Sequence, residues 1–430
     1  LESLVRIPSI AFPGFPREEV LRGAGEVVRI LRDAGYDDVR QIDLPGGMPA
    51  VYAEARGPEG APTVLLYAHY DVQPAGDLSA WTSEPFEPTE REGRLYGRGA
   101  ADDKSGVIIH AGVLRALRAA SPDGTLPCTV RVVVEGEEEY GGKFEEYPRE
   151  HPELFDADAI VVADVGNLRL GEPTFTTALR GMCDATVTVR TLAGPVHSGM
   201  FGGPAPDALM TLIELLATLR RDDGSTTVPD LGGFDWEGPE YPEAAYRELA
   251  GIVDGQPLVG PGSLSSRLFS LPVANVVGID APPVDGAINA VIPVARAKVS
   301  LRIPPGVSDT HALGQLVDFL RASAPWGVHV EVEPGSSGVG VMVDTDGPAY
   351  AAARRAMRAA YGKDAVEIGA GGSIPLIDVL RQVVPRAELL LFGAQDPLAR
   401  IHAPDESVDL GELEAAVVAE AMFLVELSSG

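Results

Sequence analysis

The chain of 430 residues contains two cysteines, Cys128 and Cys183, and four lysines. Two thiols are too few for a secreted disulfide framework or a cysteine-rich zinc site, and they fit a reducing, cytoplasmic compartment. No uncharged apolar run reaches about 18 residues, so no segment reads as a membrane span. Self-similarity at a period of roughly 20–50 residues is also missing, which excludes solenoids and propellers. Basic residues are scarce: 34 Lys+Arg stand against 63 Asp+Glu, a net charge of −29. Nucleic acid and anionic membranes are therefore poor partners, and cations are good ones. The 45% of hydrophobic residues can bury a large core divided over two or three domains.

The first part of the chain alternates helix and strand signals. An amphipathic stretch covers 17–35, β-rich runs cover 50–55, 63–69, 129–135 and 159–164, and a helical pattern covers 105–120. That alternation predicts an α/β sheet with helices on both faces. The middle reads as strand 185–191, helix 206–220, strands 274–279 and 294–303, helix 309–323 and strand 328–332, the β-α-β-β-α-β order of a ferredoxin-like unit. The Gly-, Pro- and acid-rich interval 222–269 is long enough to be an excursion from that unit. After Asp344 the first pattern returns, with helices at 348–361, 373–384 and 410–427 and a strand at 388–392. The expected division is 1–180 and 345–430 as two parts of one domain, with 181–344 inserted.

His69 and Asp71 stand two apart at the end of an apolar strand. In extended chain they share a face, so Asp71 could accept the second ring N–H of His69 and fix its tautomer for a metal. Alone, His-x-Asp is more often the mark of an ordinary buried histidine. The loop Gly97-Arg-Gly-Ala-Ala-Asp-Asp-Lys-Ser-Gly then opens a helix. It could be a phosphate cradle, but Asp102 and Asp103 would repel phosphate and neither nucleotide-binding pattern is satisfied. A cation site fits better, with a plain helix N-cap as the competing reading. Strand 129–135 ends in Glu135, followed by Gly136, Glu137, Glu138 and Glu139, strand 159–164 ends in Asp164, and strand 388–392 leads to His402. Clustered carboxylates at buried strand ends are costly unless a cation or a proton is shared among them. In open α/β sheets ligands bind beyond the carboxyl ends of the strands. Two histidines with several carboxylates there suit zinc, manganese or cobalt better than copper or an iron–sulfur cluster. His110, His151, His311 and His329 read as structural.

These motifs resemble the co-catalytic metallopeptidases of the M20 family, which includes carnosinase-like dipeptidases, carboxypeptidases, aminoacylases and succinyl-diaminopimelate desuccinylases. The likeness covers nearly the whole chain, with five motifs in family order. It implies a zinc-exopeptidase-like α/β catalytic sheet carrying an inserted ferredoxin-like α+β lid and dimerisation domain. By the resemblance, His69, Asp102, Glu139, Asp164 and His402 hold two divalent metal ions, with Asp102 bridging them through a cis peptide to Asp103. Asp71 orients His69, and Glu138 is the general base. A slip of one residue would make Glu137 the base and Glu138 the ligand; Gly141 favours the first register. In the lid, Gly194-Pro-Val-His-Ser-Gly matches a motif whose histidine, here His197, stabilises the oxyanion from the other subunit of a homodimer. Asn289 and Arg302 match substrate-binding positions of the lid strands, and Gly372 and Ser373 match a loop lining the cleft. Gly347 stands where many relatives have a histidine.

The activity so implied is hydrolysis of dipeptides or short peptides by a metal-activated water. A deacylase or desuccinylase would use the same centre on N-acyl amino acids, and a metal-binding scaffold without catalysis is the remaining alternative. The wording around HYDVQP, RLYGRGAADDKSG and GGSIP favours dipeptides.

Overall fold

The computed structural model describes residues 1–429 apart from Pro122, Ser373 and the side chain of Pro375. Strand Thr63–His69 lies inside a six-stranded sheet ordered 38–42, 50–55, 129–135, 63–69, 159–162, 388–391. Val64, Leu66 and Ala68 face a core shared with Leu31, Leu114, Tyr350 and Phe423, whereas Leu65 and Tyr67 face a second core with Ile377 and Leu380. Those partners lie on helices Arg17–Ala34, Lys104–Ala120, Pro348–Tyr361, Leu410–Ser428 and Pro375–Val383, which cover the two faces. Burial on both faces is why this strand reads as an uninterrupted apolar run rather than an alternation. The strands 129–135, 63–69, 159–162 and 388–391 are parallel, so their carboxyl ends share one edge.

The middle of the chain builds a separate sheet. Its strands Gly181–Arg190, Val273–Asp280, Val294–Ile303 and Val330–Gly338 lie in the order 273–280, 294–303, 181–190, 330–338, each antiparallel to its neighbour. Helices Ala208–Ala217 and Asp309–Ala322 supply Leu212, Leu215, Leu316 and Leu320 to a core with Val187, Val189, Val299 and Leu301. The connection order is the β-α-β-β-α-β read from the sequence. Within the excursion, Trp236 and Tyr241 pack edge-on against Phe269.

Other elements differ from expectation. Strand Asp38–Ile42 and a three-stranded sheet of Thr174–Leu179, Val341–Met342 and Val366–Ala370 were not foreseen. Thr174–Leu179 is buried at every position, so its threonines carry no inside–outside alternation to read. The first lid strand begins at Gly181, four residues before its expected start, directly after the junction residue Arg180. A Cβ on Gly181 would lie 2.5 Å from Gly338 O and Gly340 N, so the outgoing and returning chains cross side by side where only glycine fits. Gly347 has a similar explanation. The Glu388 carboxylate accepts the N–H groups of Ala349 and Tyr350 at 2.9 and 3.1 Å and fills the space a side chain at 347 would need.

His110 is fully buried, with Nδ1 2.9 Å from Glu420 Oε1 and Nε2 3.0 Å from the Tyr67 carbonyl oxygen. Burial lowers its pKa, but Glu420 more than offsets this and the net shift is upward. A raised folded-state value stabilises the fold below the unfolded histidine pKa of about 6.5, and the contribution is lost as pH rises through the folded value. Glu420→Gln is therefore expected to lose more stability at about pH 6 than at about pH 9, as read from urea unfolding.

Candidate metal centre

Two adjacent aspartates at the entry of helix Lys104–Ala120 take opposite directions. Asp103 caps the helix, accepting the Gly106 N–H and also the His69 N–H, each at 3.2 Å. Asp102, joined to it by a cis peptide, faces the cleft. Its Oδ1 lies 3.0 Å from His69 Nε2 and its Oδ2 2.9 Å from His402 Nε2. Asp164 Oδ2 is 3.9 Å from His69 Nε2, and Glu139 Oε2 is 3.1 Å from His402 Nε2. Two groups result, His69–Asp102–Asp164 and Asp102–Glu139–His402, and within each the ligand atoms all lie within 4.8 Å of one another. One carboxylate presenting an oxygen to each of two histidine–carboxylate sets is a donor arrangement suited to a pair of neighbouring divalent cations.

The electrostatics agree with that fit. Burial lifts the Asp164 carboxyl far above its ordinary range and pushes Glu138 up to about 7. Asp102 is buried too, yet hydrogen bonds to His402 and His69 hold it below the usual carboxylate value. Those to Asp102 and Glu139 push His402 up to about 10. A wall of desolvated carboxylates of this kind is stabilised by positive charge, which divalent ions supply.

The second layer contains contacts that the motifs alone did not reveal. Asp71 offers His69 Nδ1 its main-chain oxygen at 3.1 Å and its carboxylate at 3.4 Å. The carboxylate also receives the N–H groups of Glu138 and Glu139, each at 3.1 Å, and so holds the turn that carries both side chains. Gln73 donates to Glu139 Oε2 at 2.8 Å, and Gln395 donates to Asp164 Oδ1 at 3.0 Å. Fully buried Glu406 accepts the N–H groups of Ala101 and Asp102 through Oε1 at 3.1 Å, and pairs through Oε2 with Arg98 Nη1 at 2.6 Å. Glu406 stands four residues after His402, which was the available hint; its pairing across 308 residues has no local signal.

Glu138 and Glu139 line a cleft of about 620 Å³ together with Asp102, Asp164, His402 and Gly372. Glu137 does not; its Oε2 accepts the Lys143 N–H at 3.4 Å. Three other sequence candidates lie elsewhere. His197 is exposed and accepts the Gly199 N–H at 3.1 Å, Asn289 is exposed, Arg302 is half-buried on strand Val294–Ile303, and none lines this cleft. Ser373 lies outside the described residues.

Residues 65–426 match the family model for peptidase family M20/M25/M40. The chain belongs to this family. It is 41% identical over 374 residues to the cysteinylglycine-S-conjugate dipeptidase of Corynebacterium striatum, covering 85% of this chain and 81% of the relative. A beta-Ala-His dipeptidase of Rattus norvegicus is 28% identical, with 100% of this chain and 92% of that protein covered. The structure of human carnosine dipeptidase 1 superimposes with a TM-score of 0.82 at 25% identity, covering 100% of this chain and 95% of the other. A di-peptidase from Saccharomyces cerevisiae has the same fold, with a TM-score of 0.85 at 21% identity and the same coverage. Among the described residues no helix is long and apolar enough to cross a membrane.

Glu406→Gln keeps the shape of the side chain and removes the charge opposite Arg98. It is expected to weaken Mn²⁺ binding ~10–100-fold, the scale of losses in groups that orient metal ligands. Titration calorimetry checks this directly.

Proposed function

We propose that the chain is a metal-dependent dipeptidase or short-peptide exopeptidase. The observation that carries this reading is Asp102, whose two carboxylate oxygens face His69 and His402 on the wall that also bears Glu138. The relatives from Corynebacterium striatum and Rattus norvegicus, both named as dipeptidases, support it. His69, Asp102 and Asp164 would hold one divalent ion, and Asp102, Glu139 and His402 the other, most simply zinc, with manganese or cobalt as substitutes. When bound, such ions lower the pKa of water toward neutrality and draw electron density from the scissile carbonyl.

The chain's own groups do the remaining work. Glu138, held by the Asp71 carboxylate through its N–H, takes the proton of the attacking water and passes it to the leaving amine. Gly372 lines the substrate channel, and Asp71 keeps His69 and the Glu138–Glu139 turn in register. Residues 1–180 and 345–430 form the catalytic part, and 181–344 the lid and dimerisation part. His197 would serve the cleft of a second copy, giving a donor to the developing oxyanion. Two features favour a homodimer through the lid sheet. Strand Val273–Asp280 is an edge strand whose Val276, Val277 and Ile279 are exposed, and His197 is exposed and does not line its own chain's cleft. Asn289 would accompany His197 across that boundary. Two buried, unbridged thiols accord with a cytoplasmic location.

Glu138→Gln is expected to lower turnover by at least ~10²-fold while leaving cation binding and folding nearly intact. Activity retained in Glu138→Gln but lost in Glu137→Gln would move the base by one residue. A panel of dipeptides and N-acyl amino acids, assayed with added zinc, manganese or cobalt and again after chelation, separates peptidase from deacylase. Hydrolysis of N-acyl amino acids alone would replace the reading.

For the dimer, chains carrying His197→Ala and Glu138→Gln are each expected to be nearly inactive, and their heterodimer to recover activity. One of its two sites then combines an intact Glu138 with an intact histidine from the partner. No recovery in verified heterodimers would return His197 to its own chain.

A further inference from the structure

A second cavity, of about 610 Å³, is enclosed by the excursion and the start of strand Val273–Asp280. Four guanidiniums line it, those of Arg180, Arg220, Arg221 and Arg267, against a single carboxylate, Asp230. In a chain of net charge −29 that ratio is a local inversion of the composition. Most of the remaining wall is apolar, including Leu231, Leu258 and Leu271.

Arginines elsewhere in the chain find carboxylates. Arg247, on the same excursion, pairs with Glu243 at 2.7 Å, and Arg94 pairs with Asp396 at 2.8 Å. The four on this wall have no such partner among the described residues and are held by neutral acceptors instead. Arg220 donates to the Ala274 carbonyl oxygen and to Asn275 Oδ1, and Arg221 to the Thr226 carbonyl oxygen. Arg267 donates through Nε and Nη1 to the Ser263 and Val259 carbonyl oxygens, and Arg180 through Nη1 to that of Arg267. Asp223, near Arg221 in the chain, spends its Oδ1 on the Ser225 N–H and hydroxyl at 2.9 and 2.6 Å. Neutral oxygens fix where a guanidinium sits but leave its charge unmatched. Arg180 is 8% exposed, and its buried Nε has no hydrogen-bond partner among the described residues. Positive charge held in place this way, part of it out of water, is costly until an anion joins it.

The balance of charge decides which anion. A carboxylate would bring a single negative charge to four guanidiniums, whereas a phosphate monoester carries about −1.5 to −2 and three strong acceptor oxygens. Planar guanidinium forks also match phosphate geometry bidentately. The volume lies within the usual range for small-molecule sites, and inorganic phosphate alone would leave the apolar wall uncovered. We propose that this cavity binds a small organic phosphate ester, with the phosphate on the arginines and the organic group against Leu231, Leu258 and Leu271. The site is separate from the metal cleft, since none of Asp102, Glu138, Glu139, Asp164 and His402 lines it. Tyr246 and Leu268 line both spaces, so the two adjoin without sharing a hydrolytic group. The proposal stands independently of the dipeptidase reading.

The test is calorimetric titration of phenyl phosphate into the full chain, both metal-loaded and stripped of metal. Binding is expected in both forms, at least ~10-fold tighter than that of inorganic phosphate or phenylacetate. Arg220→Gln and Arg267→Gln should each weaken it ~10–100-fold, the scale of a lost hydrogen bond to a charged group. Arg267 also holds two loop carbonyls, so if its variant does not fold, the exposed Arg220 and Arg221 decide the matter through Arg220→Gln and Arg221→Gln. No binding by the parent, or parent-like binding in both of those variants, overturns the proposal. So does binding that vanishes when the metals are removed, which would place the phosphate on the metal ions. Equal affinity for inorganic phosphate or for phenylacetate overturns it as well.

Discussion

The site depends on one carboxylate having two imidazoles to face. Asp102 stands between His69 and His402, which reach it from regions far apart in the chain, and the remaining acids arrange themselves around that contact. Because Asp102 is buried, its negative charge must be matched at close range, and the sheet does this geometrically. His69 ends one parallel strand and Asp164 follows a second, so both arrive at a single edge without any long loop having to find it. Asp102, Glu139 and His402 come from turns and loops between the elements, and His402 is the most exposed of the five.

That exposure explains the investment in buried support behind it. Glu406 ties the His402 segment to the main chain of Ala101 and Asp102 and to the Arg98 side chain, while Asp71 ties the Glu138–Glu139 turn to the His69 strand. Charged groups with complete sets of donors and acceptors can be buried at acceptable cost, and they hold direction better than apolar packing does. The two supporting carboxylates thus hold different segments of the site, Glu406 the loop of Asp102 and Asp71 the turn of Glu138 and Glu139.

Much of this could be read before any coordinates. Strand 63–69 was legible because both of its faces are buried, and the lid because its strand and helix order is distinctive. The α/β class and the M20 relationship followed from those patterns and their motifs. What escaped was whatever depends on partners distant in sequence. Thr174–Leu179 borrows its pairing from segments more than 150 residues later, and nothing in its own composition separates it from a loop. Arg98 and Glu406 are visible as charges but not as a pair. The neighbouring aspartates could be named from the loop, while their division of labour needed the backbone that sends Asp103 to the helix and Asp102 to the cleft. Asp71 shows the converse: its closeness to His69 was legible, its hold on the Glu138 turn was not.

The position of His197 carries a consequence for how such a chain behaves in dilute solution. If a cleft is completed only by a neighbour's imidazole, catalytic competence obeys mass action, and specific activity falls on dilution below the association constant's reciprocal even though every chain stays folded. In such a dimer the apolar edge at Val276, Val277 and Ile279 would do more than fasten two molecules together: by setting the dissociation constant, it would set the concentration at which the protein becomes an enzyme at all.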